Sequence, residues 1–153
     1  MTINPVKKSV TVSASPERAF ELFTEHTAQW WKEGQSSGNP WFRDFRMEPH
    51  AGGKWTEVKA DGKIIQWGKV LEWQPGKRLL LAWQLNSSFA YDPEFITEVD
   101  ISFVGSENGH TKVTLEHRNL ERFGEAAQSF ETELDKGWLR HLNSFADYVK
   151  VQK

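Results

Sequence analysis

The sequence predicts an α+β fold in which one antiparallel sheet curves around a long C-terminal helix. Three observations lead there. Ala127, Phe130, Leu134, Trp138, Leu142, Phe145 and Val149 recur at steps of three or four residues, the period of an amphipathic helix. Upstream of them, from Trp41 to His117, segments that alternate apolar and polar residues are separated by turn signals, as in an antiparallel sheet. A further alternating segment and two short helical stretches come first. The order is therefore one strand, two short helices, six strands and one long helix. A sheet wrapped around that helix is the compact way to bury every apolar face.

Each element has its own signal. Val6, Val10 and Val12 fall on one face of the first strand. Ser15 before Pro16 is an N-cap followed by proline at the first helical position, and Ala19, Phe20 and Phe23 make that helix amphipathic. A second short helix is read as carrying Trp30 and Trp31, ended by the glycine- and proline-rich stretch from Gly34 to Pro40. Strands follow at Trp41–Met47 and Lys54–Lys59, with Asp61-Gly62 as a hairpin signal. Lys63–Trp73 then runs back, and Gln74-Pro75-Gly76-Lys77 turns the chain into Arg78–Gln84. Phe95, Val99, Ile101 and Phe103 alternate with polar residues in the next strand, and Val113, Leu115 and His117 in the last.

Composition narrows the classes of function. The 153 residues suit a single domain spanning 1–153. A net charge of −2, from 19 basic and 21 acidic residues, gives no field favouring nucleic acid, and no segment has the length of a membrane span. No cysteine is present, which removes disulfides, thiol nucleophiles and thiolate metal sites. With no apolar leader at the N-terminus, a cytoplasmic location is expected. The unusual feature is aromatic content, eight Trp and ten Phe against two Tyr. Such rings fill a core, or wall a cavity.

Pairing Trp73 with Arg78 across the turn places Val70 opposite Leu81 and Glu72 opposite Leu79. Gly68, Val70, Leu79, Leu81 and Trp83 then share the inner face. Trp67, Leu71, Trp73 and Leu80 fall on the other side. There they would form an exposed apolar patch, read as a self-association surface and hence a homodimer. A register shifted by one residue is the alternative.

Several short motifs, in this order, carry a family resemblance. They are Ser15-Pro16-Glu17-Arg18-Ala19-Phe20, Gly52-Gly53-Lys54-Trp55, Gly68-Lys69-Val70-Leu71-Glu72, Pro75-Gly76-Lys77-Arg78-Leu79 with Trp83, Thr114-Leu115-Glu116-His117, and Gly137-Trp138-Leu139 with Leu142, Phe145 and Tyr148. The chain resembles the SRPBCC (START-like, birch-pollen-allergen-like) helix-grip superfamily, in the branch named for the activator of the heat-shock protein 90 ATPase. Its motifs are read as turns, inward apolar residues and a glycine that allows close approach of helix and sheet. The resemblance implies a cavity for an apolar or amphipathic ligand, a chaperone contact as an alternative role, and kinship with polyketide cyclase-like enzymes. Fold alone does not assign the activity.

The candidate chemistry is sparse. Gly34-Gln35-Ser36-Ser37-Gly38 matches a nucleophile-elbow pattern, but it lacks the strand before and the helix after that the elbow requires. It is read as a loop. His26, His50, His110, His117 and His141 show no metal-ligand spacing, so no catalytic residue, metal or cofactor is assigned. His117 points inward, either as a histidine satisfied within the core or as a polar group facing a ligand. Lys8, Arg43 and Arg46 are candidates for the cavity rim.

Trp83, Trp138, Phe103 and Phe130 are assigned chiefly to the core. The cavity wall is drawn from Trp30, Trp31, Trp41, Phe45, Trp55, Trp83, Phe89, Tyr91, His117, Phe130 and Trp138. A solid aromatic core is the competing reading. The functional expectation is a non-catalytic module holding a small hydrophobic or amphipathic ligand. Its rivals are a chaperone-associated protein–protein module and a cyclase/dehydratase-type enzyme with His117 as proton shuttle.

Overall fold

The computed structural model describes residues 3–31, 42–59 and 61–152, without the side chains of Phe42 and Arg43. Its elements are β1 (Val6–Val12), α1 (Pro16–Glu25), α2 (Thr27–Trp30), β2 (Phe42–Met47), β3 (Lys54–Lys59), β4 (Ile64–Gln74), β5 (Arg78–Trp83), β6 (Thr97–Gly105), β7 (Thr111–Arg118) and α3 (Ala127–Lys150). A 3₁₀ segment, Leu120–Ala126, leads into α3. The seven strands form one antiparallel sheet in the order β1-β7-β6-β5-β4-β3-β2. The sheet is curled, with α3 lying in its palm, so the helix-grip fold predicted from the sequence is the fold observed. No described helix is long and apolar enough to cross a membrane.

Local chemistry accounts for the boundaries. Ser15 Oγ accepts the Arg18 backbone N–H at 3.1 Å, capping α1 beside Pro16. Phe20 and Phe23 from α1 meet Phe103 of β6 at ring separations of 5.2 and 5.9 Å, which docks the helix on the sheet. The α3 stripe packs as its period requires: Ala127, Trp138, Leu142, Phe145 and Val149 are buried, and Phe130 and Leu134 pack against the same core.

The β4–β5 hairpin departs from strict alternation. Near its open end Val70 pairs with Leu81, as predicted. Below that, Glu72 pairs with Leu80, Trp73 with Leu79 and Gln74 with Arg78, one residue out of the predicted register. A bulge at Leu71 absorbs the difference. The turn is correspondingly shorter, closed by Lys77 N–H to Gln74 O at 2.9 Å with Gly76 at φ 75°. A second irregularity lies on the β3 side, where Trp55 pairs with Gly68 and Thr56 with Gln66, leaving Trp67 extra.

These two bulges overturn the predicted outward patch. Trp67 lies among Trp31, Phe45, Trp55 and Trp83 in the interior. Trp73 meets Phe20 edge-to-face at 5.0 Å. Leu71 and Leu80 stay outside the main core cluster. Around Leu80 the outer face is ionic. Arg78 donates to Asp100 at 2.9 and 2.8 Å and to Glu72 at 2.7 Å, and Arg118 donates to Glu98 at 3.0 Å and Asp100 at 3.2 Å. Hydrogen bonding to Arg78 holds the Asp100 carboxyl below the usual carboxylate range.

Gly137 does not mark a close helix–sheet approach: a Cβ there would meet only Arg140 Nη2, at 4.0 Å. The tight glycine lies within the sheet instead: a Cβ on Gly68 would sit 1.7 Å from Ala82 O of the neighbouring strand.

Candidate functional site

Between the sheet and α3 lies a cavity of about 460 Å³. Trp67 of β4 and Trp83 of β5 form one wall, Trp31 at the end of α2 a second, and Phe130, Leu134, Trp138 and His141 of α3 the third. Ser87 and Phe89, from the loop between β5 and β6, stand at the mouth with Ser129, Glu133, Lys136 and Arg140. The volume is that of an ordinary small-molecule pocket, and the walls are mainly apolar.

The sequence named five of these wall residues: Trp31, Trp83, Phe89, Phe130 and Trp138. Four others form a layer behind them, each touching a ring of the lining. Trp30 packs on Trp31, Phe45 on Trp31 and Trp67, Trp55 on Trp67 and Trp83, and His117 on Trp83 and Trp138. Tyr91 bridges to Leu85 in the loop, away from the lining. Trp41, the side chain of Arg43 and the Gly34–Gly38 motif lie outside the described residues. Lys8 is committed to Asp135 of α3 at 2.8 Å, and Arg46 to Asp44 at 3.0 Å.

His117 sits in the core rather than in the cavity wall. It is fully buried; its Nδ1 accepts the Trp138 indole N–H at 3.1 Å, and Nε2 lies 2.8 Å from Thr97 Oγ1. With Nδ1 accepting, the ring proton belongs on Nε2 and donates to Thr97. Burial pushes the imidazole down to about 3, so it is neutral at physiological pH. A proton shuttle needs a free nitrogen in reach of substrate and a pKa near the working pH. His117 has neither here.

Besides Gly137 and the polar residues of the mouth, three residues of the walls are absent from the sequence prediction: Trp67, Leu134 and His141. Trp67 was placed outward because alternation was carried through a bulge. Leu134 was on the helical stripe but was not carried into the cavity wall. His141 follows Trp138 by three positions and precedes Phe145 by four, which puts it on the same helix face. That spacing was the available signal. His141 is 4% exposed and stacks on Trp31 with ring centroids 3.8 Å apart and planes 18° from parallel.

The mouth is marked by phenylalanines. Phe89 is 61% exposed, adopts a left-handed backbone conformation at φ 57°, and stacks on Phe130 at 5.8 Å. Phe130 lies flat on Phe123 at 4.1 Å, and Phe123 meets Phe95 from the far end of the same loop at 5.0 Å. Asn86 Oδ1 accepts the backbone N–H groups of Ser88 and Ala90, holding the loop tip in shape. Among the described residues no group of three or more His, Asp or Glu side chains could hold a metal ion.

The family described as Activator of Hsp90 ATPase homolog 1-like protein matches residues 13–150. The chain belongs to that family. Among solved structures similar to this family member is Txn09, an anthrahydroquino-γ-pyrone synthase determined as a complex. The two are 34% identical over 93% of this chain and 97% of that one, with a TM-score of 0.68. CalC, a self-sacrificing resistance protein from Micromonospora echinospora, is 26% identical over 98% of each chain, with a TM-score of 0.67. The Aha1 dimer from Colwellia psychrerythraea is 19% identical over 99% of each, with a TM-score of 0.69, a likeness of fold. A search of curated proteins finds no match.

Proposed function

We propose that this member of the Hsp90 ATPase activator homologue family is a non-catalytic module that holds a small hydrophobic or amphipathic ligand between the sheet and α3. The observation that carries this reading is the cavity of about 460 Å³ walled by Trp31, Trp67, Trp83 and Trp138. A hollow lined by indoles forgoes contacts that a solid core would make. A flat apolar guest restores them. Family membership and the likeness to a synthase of a fused-ring product support a ligand of that shape.

A cyclase-type enzyme is the second reading, favoured by the 34% identity to that synthase. The buried, fully engaged His117 does not serve it, so another group would have to move the proton. Chaperone contact and self-association, supported by the family description and by the dimeric relative, would use the outer surface instead.

Titration of the protein with 2-methylnaphthalene, followed by tryptophan emission, tests the first reading. Saturable one-to-one quenching is expected, because four indoles face the guest. Gly137 also lines the cavity, and a Cβ there meets only Arg140 Nη2 at 4.0 Å, so Gly137→Phe should fill the hollow and abolish the quenching while the circular dichroism spectrum is kept. Binding that is absent from the wild-type chain, or unaffected by Gly137→Phe, would remove the cavity as the site.

A further inference from the structure

The walls of the cavity are apolar, but the rim that α3 gives it is charged. Ser129, Glu133, Lys136 and Arg140 follow one another at steps of four, three and four residues, which sets them in one row along the mouth. All four are exposed. Two of them are cations one helical turn apart, a spacing at which like charges disfavour the helix. Neither has a partner among the described residues. Asp135, the neighbour of Lys136 in the chain, is taken by Lys8 at 2.8 Å, and Glu133 forms no ion pair with either cation.

Arg140 is placed further by a neighbour that has no side chain. Gly137 lines the cavity, and a Cβ on it would meet a single atom, Arg140 Nη2, at 4.0 Å. The guanidinium therefore lies back over the turn that precedes it, the direction in which helical side chains lean, and beside the lining. Its planar fork of N–H donors matches a carboxylate, and Lys136 adds a point charge four residues away. Depth decides where an acidic group can sit. Among the indoles a carboxylate would lose its hydration with no buried lysine or arginine to offset the loss. At the mouth it keeps water on one side and meets both cations.

We propose that the cavity takes an aromatic carboxylic acid, its ring against the indole walls and its carboxylate at the mouth between Lys136 and Arg140. The proposal rests on the cavity being the ligand site. It adds the charge of the ligand and the direction in which it lies: acid end outward, ring inward.

The test compares 2-naphthoate with 2-naphthamide, which have the same shape and differ in charge. Each is titrated calorimetrically at low salt into the full chain, into a variant carrying Lys136→Met and Arg140→Met together, and into Lys112→Met. The last removes an exposed cation of β7 that lies outside the lining. Near-ultraviolet circular dichroism checks that packing is kept. Exposed ion pairs are individually weak, so two of them correspond to about a three- to tenfold change in affinity. The double variant should weaken 2-naphthoate by about that factor and leave 2-naphthamide within about twofold. Lys112→Met should change neither. An affinity for 2-naphthoate that is unchanged in the double variant, that falls no more than the affinity for 2-naphthamide, or that falls as far in Lys112→Met would overturn the proposal while leaving the cavity as the site. Failure of both probes to bind the wild-type chain would instead overturn the cavity reading, and the proposal with it.

Discussion

Lowering the pH should destabilise this protein through His117, by an amount the structure allows to be worked out. The imidazole is fully buried, and burial pushes it down to about 3. In the unfolded chain the same side chain titrates near its ordinary value of about 6.5. The folded value is thus the lower one, so between the two the unfolded state takes up a proton that the folded state refuses. The neutral ring supports the fold fully above about pH 6.5, and that support is lost progressively as the pH falls towards about 3. Each unit is worth about 1.4 kcal/mol, so going from pH 7.5 to 4.5 costs roughly 2–3 kcal/mol from this one site. Other acid-sensitive groups, Asp100 among them, add to the loss, and a matched variant cancels them. His117→Gln is the variant to use: its carbonyl can accept from Trp138 and its amide can donate to Thr97, and it does not titrate. Urea unfolding followed by tryptophan emission should show the wild-type chain losing roughly 2–3 kcal/mol more than His117→Gln over that interval. The same loss in both chains would refute the burial argument.

Two further predictions concern glycines. Gly68→Ala drives a Cβ to 1.7 Å from Ala82 O in the middle of the sheet; it should cost roughly 3 kcal/mol, read as a melting temperature lower by about 10 °C. Gly137→Ala has open space around it and lies inside α3; replacing glycine by the best helix former should stabilise by about 1 kcal/mol, raising the melting temperature by about 3 °C.

The fold was legible because its signals are local and redundant. The α3 stripe runs over 24 residues, and the alternation of Val99, Ile101 and Phe103 with Glu98, Asp100 and Ser102 survives unchanged in β6. The Ser15-Pro16 start of α1 is chemistry contained in two residues. What failed was whatever depended on phase carried over distance. A bulge inserts one residue into one strand and leaves no mark in composition, so Trp67 and Trp73 were sent to the wrong face while Val70 and Leu81 were paired correctly. The cavity wall was half legible for a related reason. Aromatic identity puts a ring inside, but whether it faces the hollow, like Trp31, or backs a ring that does, like Trp30, depends on packing across several elements. His141 carries no metal-ligand spacing, and its place in the wall follows from its helical spacing to Trp138 and Phe145.

The two bulges of β4 have a structural yield beyond correcting a register. A regular strand can turn only every second side chain to the inside. Because β4 changes phase near Trp67 and again at Leu71, Trp67, Gly68, Val70 and Trp73 all serve the interior, so one strand draws on odd and even positions alike. Moving either bulge along β4 would change which of its side chains turn inward, and would re-pair only the stretch of β3 or β5 beside it. A relative that needs to house a differently shaped guest has that route open without rebuilding the scaffold.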